Sequence, residues 1–418
     1  MTMRRLGPAL LGLLVGASTV ACSGGVGSGT GSDGSPGQVS IAGSAQSPSV
    51  AGDRGWWLER PACEVAVPSG IVLNTLRVSP DQGVDYMAPV GGMNADGWIP
   101  FAKVRAARPG LAVWNIGTGE QKQLSTYTNE SWSYSAFDGR YVLEKELVSD
   151  ERRMEFSVRA HDLSSWASWA VGGNAPAPPG GPVPNTPLES FGLRDGLAWW
   201  IRGKDRTSTD VMISDLKTKE TRVLLRGPYS GAHFIDGGLA LTRLVSGENG
   251  WRDYVDLQGK PLVVPQRIAD LRDRRWVAFG RDGGVAYLDE DWTEIYYLGP
   301  NDGTPSLIWQ RPIETKAQNL PIMAAHGMVL PTMDGTTLYF DLTNGTVAKI
   351  ADRLTAATLG SNVVVQTSGG GPRRNPSADE NGGQTFSVFN VSPGTLGACP
   401  TRPPQLTPTS RFPITPTG

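Results

Sequence analysis

Apolar residues along this chain fall in short runs separated by polar and glycine-rich turns, and no stretch sustains the spacing of a long amphipathic helix. The clearest unit is residues 110–124, GLAVWNIGTGEQKQL, an apolar run closed by Asn115, an aliphatic and a tight turn at Thr118-Gly119, then a second short run. The pattern predicts two strands joined by a hairpin in which the Asn115 side chain accepts N–H groups of the turn. The same order returns at His161-Asp162-Leu163-Ser164, Ser214-Asp215-Leu216-Lys217, Val255-Asp256-Leu257-Gln258, Phe340-Asp341-Leu342-Thr343 and Phe389-Asn390-Val391-Ser392, with a weaker copy at Leu298-Gly299-Pro300-Asn301.

A second periodic signal lies one strand earlier. Turns fall at Asp96-Gly97, Asp138-Gly139, Asp195-Gly196, Asp236-Gly237, Asp282-Gly283, His326-Gly327 and Gly360-Ser361, and the steps between their glycine positions are 42, 57, 41, 46, 44 and 33 residues. Asp-Gly suits turns that need a positive φ, and a period of about 40 to 45 residues indicates four-stranded propeller blades. Blade 3 shows the unit most cleanly, with strands expected at 188–193, 197–202, 210–216 and 221–225. Blade 2 follows with 133–137, 141–147, 155–163 and 166–171, and the long step contains residues 172–185, GGNAPAPPGGPVPN, read as a surface insertion. Blade 7 has 356–359, 362–366 and 385–391 but no outer strand of its own, and residues 71–78 are expected to supply it. The expectation is therefore an all-β chain forming a β-propeller of seven four-stranded blades. A competing register, in which residues 76–82 belong to an extra unit, leaves six or eight open.

Composition fits many turns and aromatic-bearing strands, with 53 Gly, 32 Pro, 13 Trp and 19% charged residues. With 38 basic against 40 acidic side chains there is no basic excess, so nucleic acid is not an expected partner. Arg4 and Arg5, the apolar residues 6–17 and the small residues before Cys22 form an export signal over 1–21, too short for a membrane span. Residues 22–55 are mostly Gly, Ser and Ala, a tether with a reach of roughly 30 Å. A folded region at 56–399 and a Pro/Thr-rich tail at 400–418 complete the plan. The start resembles a bacterial lipoprotein signal, with Thr19 departing from its usual aliphatic. That resemblance implies lipidation at Cys22 and a place on the outer face of the cell membrane. With Cys22 set aside, Cys63 and Cys399 remain at opposite ends of the folded region, and in an exported protein they are expected to form a disulfide that a circular fold permits.

The Asp/Asn-aliphatic hairpins, the Asp-Gly turns and Ser79-Pro80-Asp81 together resemble the WD40-like and TolB-like propeller repeats of bacterial exported proteins, and lipobox, tether and tail are actinobacterial in style. The resemblance implies a fold and leaves activity open, since related propellers bind proteins or act as hydrolases, lyases or dehydrogenases. Chemistry in the sequence is sparse. His161, His233 and His326 fall in three blades without metal-ligand spacing, and no cofactor is expected. His161 is expected on the surface of its hairpin and His326 in a turn. His233, on an inner strand, is expected to line the central channel with Tyr134, Phe191, Trp276 and Met323 as counterparts, a candidate mouth for a sugar or small ligand. Asp289, Glu290, Asp291 and Glu294 lack the glycine of a calcium loop and read as a solvated hairpin. Residues 369–383 read as a recognition loop or an excursion. The functional expectation is a monomeric, membrane-anchored binding module for a protein or glycan partner. The rival is a hydrolase or lyase acting at the channel mouth.

Overall fold

The two periodic signals are physically one device. In the hairpins, the Asp or Asn side chain accepts the turn's backbone N–H groups, as in Asn115 from Gly117 and Thr118 (both 3.0 Å) and Asp341 from Thr343 (3.0 Å). The aliphatic that follows donates its own N–H to the glycine turn of the same blade: Ile116 to Gly97 O, Leu216 to Gly196 O, Leu163 to Arg140 O and Val391 to Ser361 O, at 2.7–3.0 Å. These repeats thereby tie the outer turn to the inner one and satisfy backbone groups that would otherwise be buried unpaired. Asp138 adds a link between blades, accepting the Gly196 N–H at 2.7 Å.

The computed structural model describes residues 62–399, leaving aside 79–83, 107–109, 128–132, 150–154, 175–189, 204–207, 244–251, 275, 312–315, 352–355 and 368–383. Seven sheets follow one another in chain order, so the protein is a seven-bladed β-propeller. Their inner strands, A, are Val84–Pro89, Ser133–Phe137, Phe191–Arg194, Tyr229–Ile235, Val277–Phe279, Ile322–Ala324 and Ala356–Leu359. The ring closes as the pattern demanded. Val72–Val78 pairs antiparallel with Gln384–Asn390 as the outer strand of blade 7, which excludes the register that made residues 76–82 part of an extra unit. Cys63–Glu64 adds a short parallel strand outside Thr346–Ala351 of blade 6, and a disulfide joins Cys63 to Cys399 across 336 residues. Leu396 N–H and Thr346 Oγ1 bond the last described segment to blade 6, so the bridge staples the two ends of the described region to blade 6 beside the seam.

Hydrophobic burial is divided among the seven joints between blades. Each joint has its own cluster, for example Trp200, Phe191, Phe156 and Leu143 between blades 2 and 3, or Tyr339, Val363 and Phe389 between blades 6 and 7. This is the burial expected when flat sheets, too thin to cover their own faces, stack radially.

Three details depart from the sequence reading. Blade 4 has three regular strands, its fourth reduced to a bridge between Val255 and Pro261 before a short helix, Gln266–Ala269. Prolines at 261 and 265 deprive that edge of ladder donors. Residues 172–174, assigned to the insertion, instead end strand Ala167–Asn174, with a bulge between Ala170 and Gly172. His161, expected on the surface, is 1% exposed. The signal residue Cys22, the tether, the tail, most of the 172–185 insertion and all of the 369–383 insertion lie outside the described residues. No helix among the described residues is long and apolar enough to cross a membrane.

Candidate functional site

The inner strands enclose a channel of about 190 Å³ lined from all seven blades. Its wall carries the apolar side chains of Val90, Phe137, Leu193, Phe234, Phe279 and Met323 interspersed with polar surface, and Thr358 completes it from blade 7. The Thr358 hydroxyl donates to Met323 O at 3.1 Å. His233 lines this cavity. It is 9% exposed, its ring lies 5.6 Å from that of Phe279, and burial, reinforced by Arg252 of blade 4 strand Arg252–Asp256, holds its pKa down at about 3. The imidazole is therefore neutral across the physiological range.

Of the counterparts proposed for His233, the structure keeps Met323 on the channel and moves the others. Tyr134 and Phe191 meet edge to face at 6.4 Å within the joint between blades 2 and 3, and Trp276 packs edge to face on Trp292 at 4.8 Å. All three stand at or just before the first residues of their inner strands. The channel wall is built from the residues next to the following turn, such as Phe137, Leu193 and Phe279. The side-chain alternation of a strand specifies a face, and how far along the strand the cavity lies is decided by neighbouring blades. The pattern did not flag two cavity residues, Arg194 and Arg281, whose guanidiniums come from blades 3 and 5 at the turn end of the channel.

His161 takes part in a different arrangement. It sits on strand Glu155–Asp162, directly across from Ser168, on the face of blade 2 that meets blade 1. Its Nδ1 lies 2.7 Å from Ser168 Oγ and its Nε2 lies 3.2 Å from Glu144 Oε2, while Ser125 of blade 1 donates to Glu144 Oε1 at 2.6 Å. Glu144 and the neighbouring Lys145 are each 1% exposed, and Lys145 Nζ lies 4.2 Å from the Phe156 ring centroid. The chain thus buries a polar chain of partners across one blade joint. Proximity to a turn suggested exposure for His161, but blade 1 covers that face.

The A–B and C–D turns form one face of the disc, and it carries an aromatic platform that the sequence reading did not single out. In the turn after the third strand the residue four after the Asp or Asn has a positive φ: Gly119 (74°) and Gly345 (64°) in the C–D hairpins of blades 1 and 6, and Gly394 (74°) after the last strand of blade 7. Blade 2 places Trp166 there at 59°, and blade 3 places Lys219 at 62°. Trp166 is 39% exposed, its ring meets Trp98 edge to face at 4.9 Å, and Lys122 Nζ lies 3.8 Å from its centroid and 4.8 Å from that of Trp98. Beside it Arg140 forms a two-point pair with Asp162 (3.1 and 2.9 Å), and this hydrogen bonding holds the Asp162 carboxyl far below its usual range. The signal was legible in principle, as a tryptophan standing where sister repeats have glycine.

Among the described residues no group of three or more His, Cys, Asp or Glu is placed to hold a metal ion. Asp289 instead accepts the Thr293 and Glu294 N–H groups at 2.7 and 2.9 Å, closing an ordinary hairpin.

No family model matches this sequence, and no curated protein matches it. Among solved structures, the chain is similar to the β-propeller domain of the Trilobed protease from Pyrococcus furiosus, at 10% identity over 67% of this chain and 91% of that one, with a TM-score of 0.48. It is also similar to an oligogalacturonate lyase from Vibrio parahaemolyticus, at 12% identity over 79% of this chain and 99% of that one, with a TM-score of 0.43. TolB from Acinetobacter baumannii matches at 10% identity over 78% of this chain and 66% of that one, with a TM-score of 0.35. Each score is below 0.5, and the architecture given above rests on this chain's own strand order.

Proposed function

We propose that the protein is a lipid-anchored propeller on the outer face of the cell membrane that binds a protein or glycan partner through the turn face of its disc. The observation that carries this reading is Trp166. A bulky residue in the left-handed region costs about 1–2 kcal/mol relative to glycine, which the same position uses in three sister repeats. The cost is offset by the edge contact with Trp98 and the cation over both rings, worth about 0.5–1.5 and about 0.5–1 kcal/mol. The net result is an exposed tryptophan already fixed in place, so that little side-chain ordering remains to oppose association. Tryptophan and arginine are the side chains on which interface energy concentrates, and Arg140 stands alongside. Lipidation at Cys22 would keep this face within reach of the envelope, and the tether would let the disc turn toward its partner.

The test places a photoreactive amino acid at the exposed Thr118, in the hairpin that carries Lys122, in cells, and screens the full chain on a glycan array. A specific adduct or glycan signal that Trp166→Ala abolishes, with the melting temperature kept, supports the reading. Undiminished capture by Trp166→Ala overturns the assignment to this face. Anchoring is tested separately by Cys22→Ser, which should release the protein from membranes.

A further inference from the structure

The channel ends in two charged side chains beside a cluster of aromatic rings. Arg194 and Arg281 line the cavity side by side, held so by the bond from Arg194 Nη2 to Arg281 O at 3.1 Å. Their acidic neighbours stand off. Asp195 is 3.6 Å from Arg194 and 3.9 Å from Arg281, and Asp236 is 3.8 Å from Arg194, distances beyond a hydrogen bond. Both aspartate side chains are turned to solvent, at 70% and 78% exposure. The Arg281 guanidinium makes no hydrogen bond among the described residues. Two planar donor forks at the channel mouth therefore keep most of their N–H groups available, and such forks match the two oxygens of a carboxylate.

Deeper in, the polar groups are engaged or uncharged. Thr358 is bonded to Met323 O, and His233 lies against Phe279. The volume, about 190 Å³, is below the roughly 300 Å³ at which drug-sized ligand sites begin, so the space suits a single ring or a short alkyl chain. We propose that the channel is a second site, binding a small organic monocarboxylate with its apolar body against Phe137, Phe234 and Phe279 and its carboxylate on Arg194 and Arg281. This site is separate from the partner-binding platform at Trp166 and does not depend on it.

Isothermal titration of the full oxidised chain with 3-phenylpropionate, phenethyl alcohol and phenethylamine tests the proposal. The acid is expected to bind once per chain, the alcohol at least about tenfold more weakly, and the amine not at all. Arg281→Gln, at a side chain 43% exposed, should lose at least about tenfold in affinity for the acid, while Arg267→Gln on the helix Gln266–Ala269 changes nothing. The ligand series on the wild type does not rely on any variant folding. Absence of binding by the acid, equal binding of acid and alcohol, or an Arg281→Gln variant with wild-type affinity would each overturn the proposal. Loss of partner capture in Trp166→Ala with the acid still bound would show that the two sites stand or fall separately.

Discussion

Replacing both Cys63 and Cys399 by serine should loosen the ring at one identifiable place. In the chain-entropy picture a bridge across 336 residues removes about 5–6 kcal/mol of unfolded-state freedom, an upper figure since measured bridges more often give about 2–4 kcal/mol. At roughly 2.1 cal/mol/K of unfolding entropy per residue, a ring of this size changes by about 0.7 kcal/mol per degree, so the melting temperature should fall by about 3–8 °C. The structure adds where the loss will appear first. The closing strand Val72–Val78 leaves Val72 44% and Leu73 47% exposed, and its burial rests on Ile71 and partly on Leu76. Without the staple beside it, this strand and its partner Gln384–Asn390 should open below the global transition. Hydrogen-exchange mass spectrometry of oxidised wild type and the double serine variant measures this. Faster exchange confined to these two strands, with blades 2 and 3 unchanged, is the expected result. Unchanged protection at the seam, or a melting temperature within about 1 °C of wild type, would refute the reasoning.

Two further outcomes follow from buried polar groups. Glu144→Ala leaves His161 and Ser125 facing an apolar void and should cost about 3 kcal/mol, whereas Glu144→Gln keeps one acceptor oxygen and offers an amide N–H that the other partner can accept, and should cost about 1–2; urea melts giving equal values for the two would show that the polar chain across the joint is not what matters. His233 titrates at about 3 when folded against about 6.5 when unfolded, so between those values the unfolded chain holds the extra proton and stability falls as pH drops from about 6.5 toward 3. It is fully present above that window, the contribution at stake is on the order of 5 kcal/mol at most, and stability measured against pH should flatten there in His233→Gln; identical profiles for the variant and wild type would refute it.

How much was readable from the sequence divides along the range of the interactions involved. The hairpin residues Asn115, Asp215 and Asp341 serve backbone groups two or three positions away, so the requirement is local and the repeat announces itself. Ring closure by residues 71–78 was legible because blade 7 lacked a strand and the count had to balance. The channel was less so. Tyr134, Phe191 and Trp276 are on the right strands, but the cavity's height is set by blades far away in sequence. His161 shows the same limit, since strand alternation assigns it to a face and only the neighbouring blade decides whether that face is wet. Trp166 and the arginines at the channel mouth are visible only when repeats are superposed, where each stands as an exception to its own grammar.

The closure of blade 7 also imposes an order in time. The strand Val72–Val78 is among the first to be synthesised, while its partner Gln384–Asn390 is among the last. At translation rates of about 5–20 residues per second, the first strand waits about 15 to 60 s for the segment that completes it. During that interval the half-built disc has an open flank at blade 1, whose surface facing blade 7, including Ile99 and Phe101, has nothing yet to pack on. The ring cannot finish while any part of the last blade is still on the ribosome, so a nascent chain of this protein must be kept from its neighbours until the strand Gln384–Asn390 arrives.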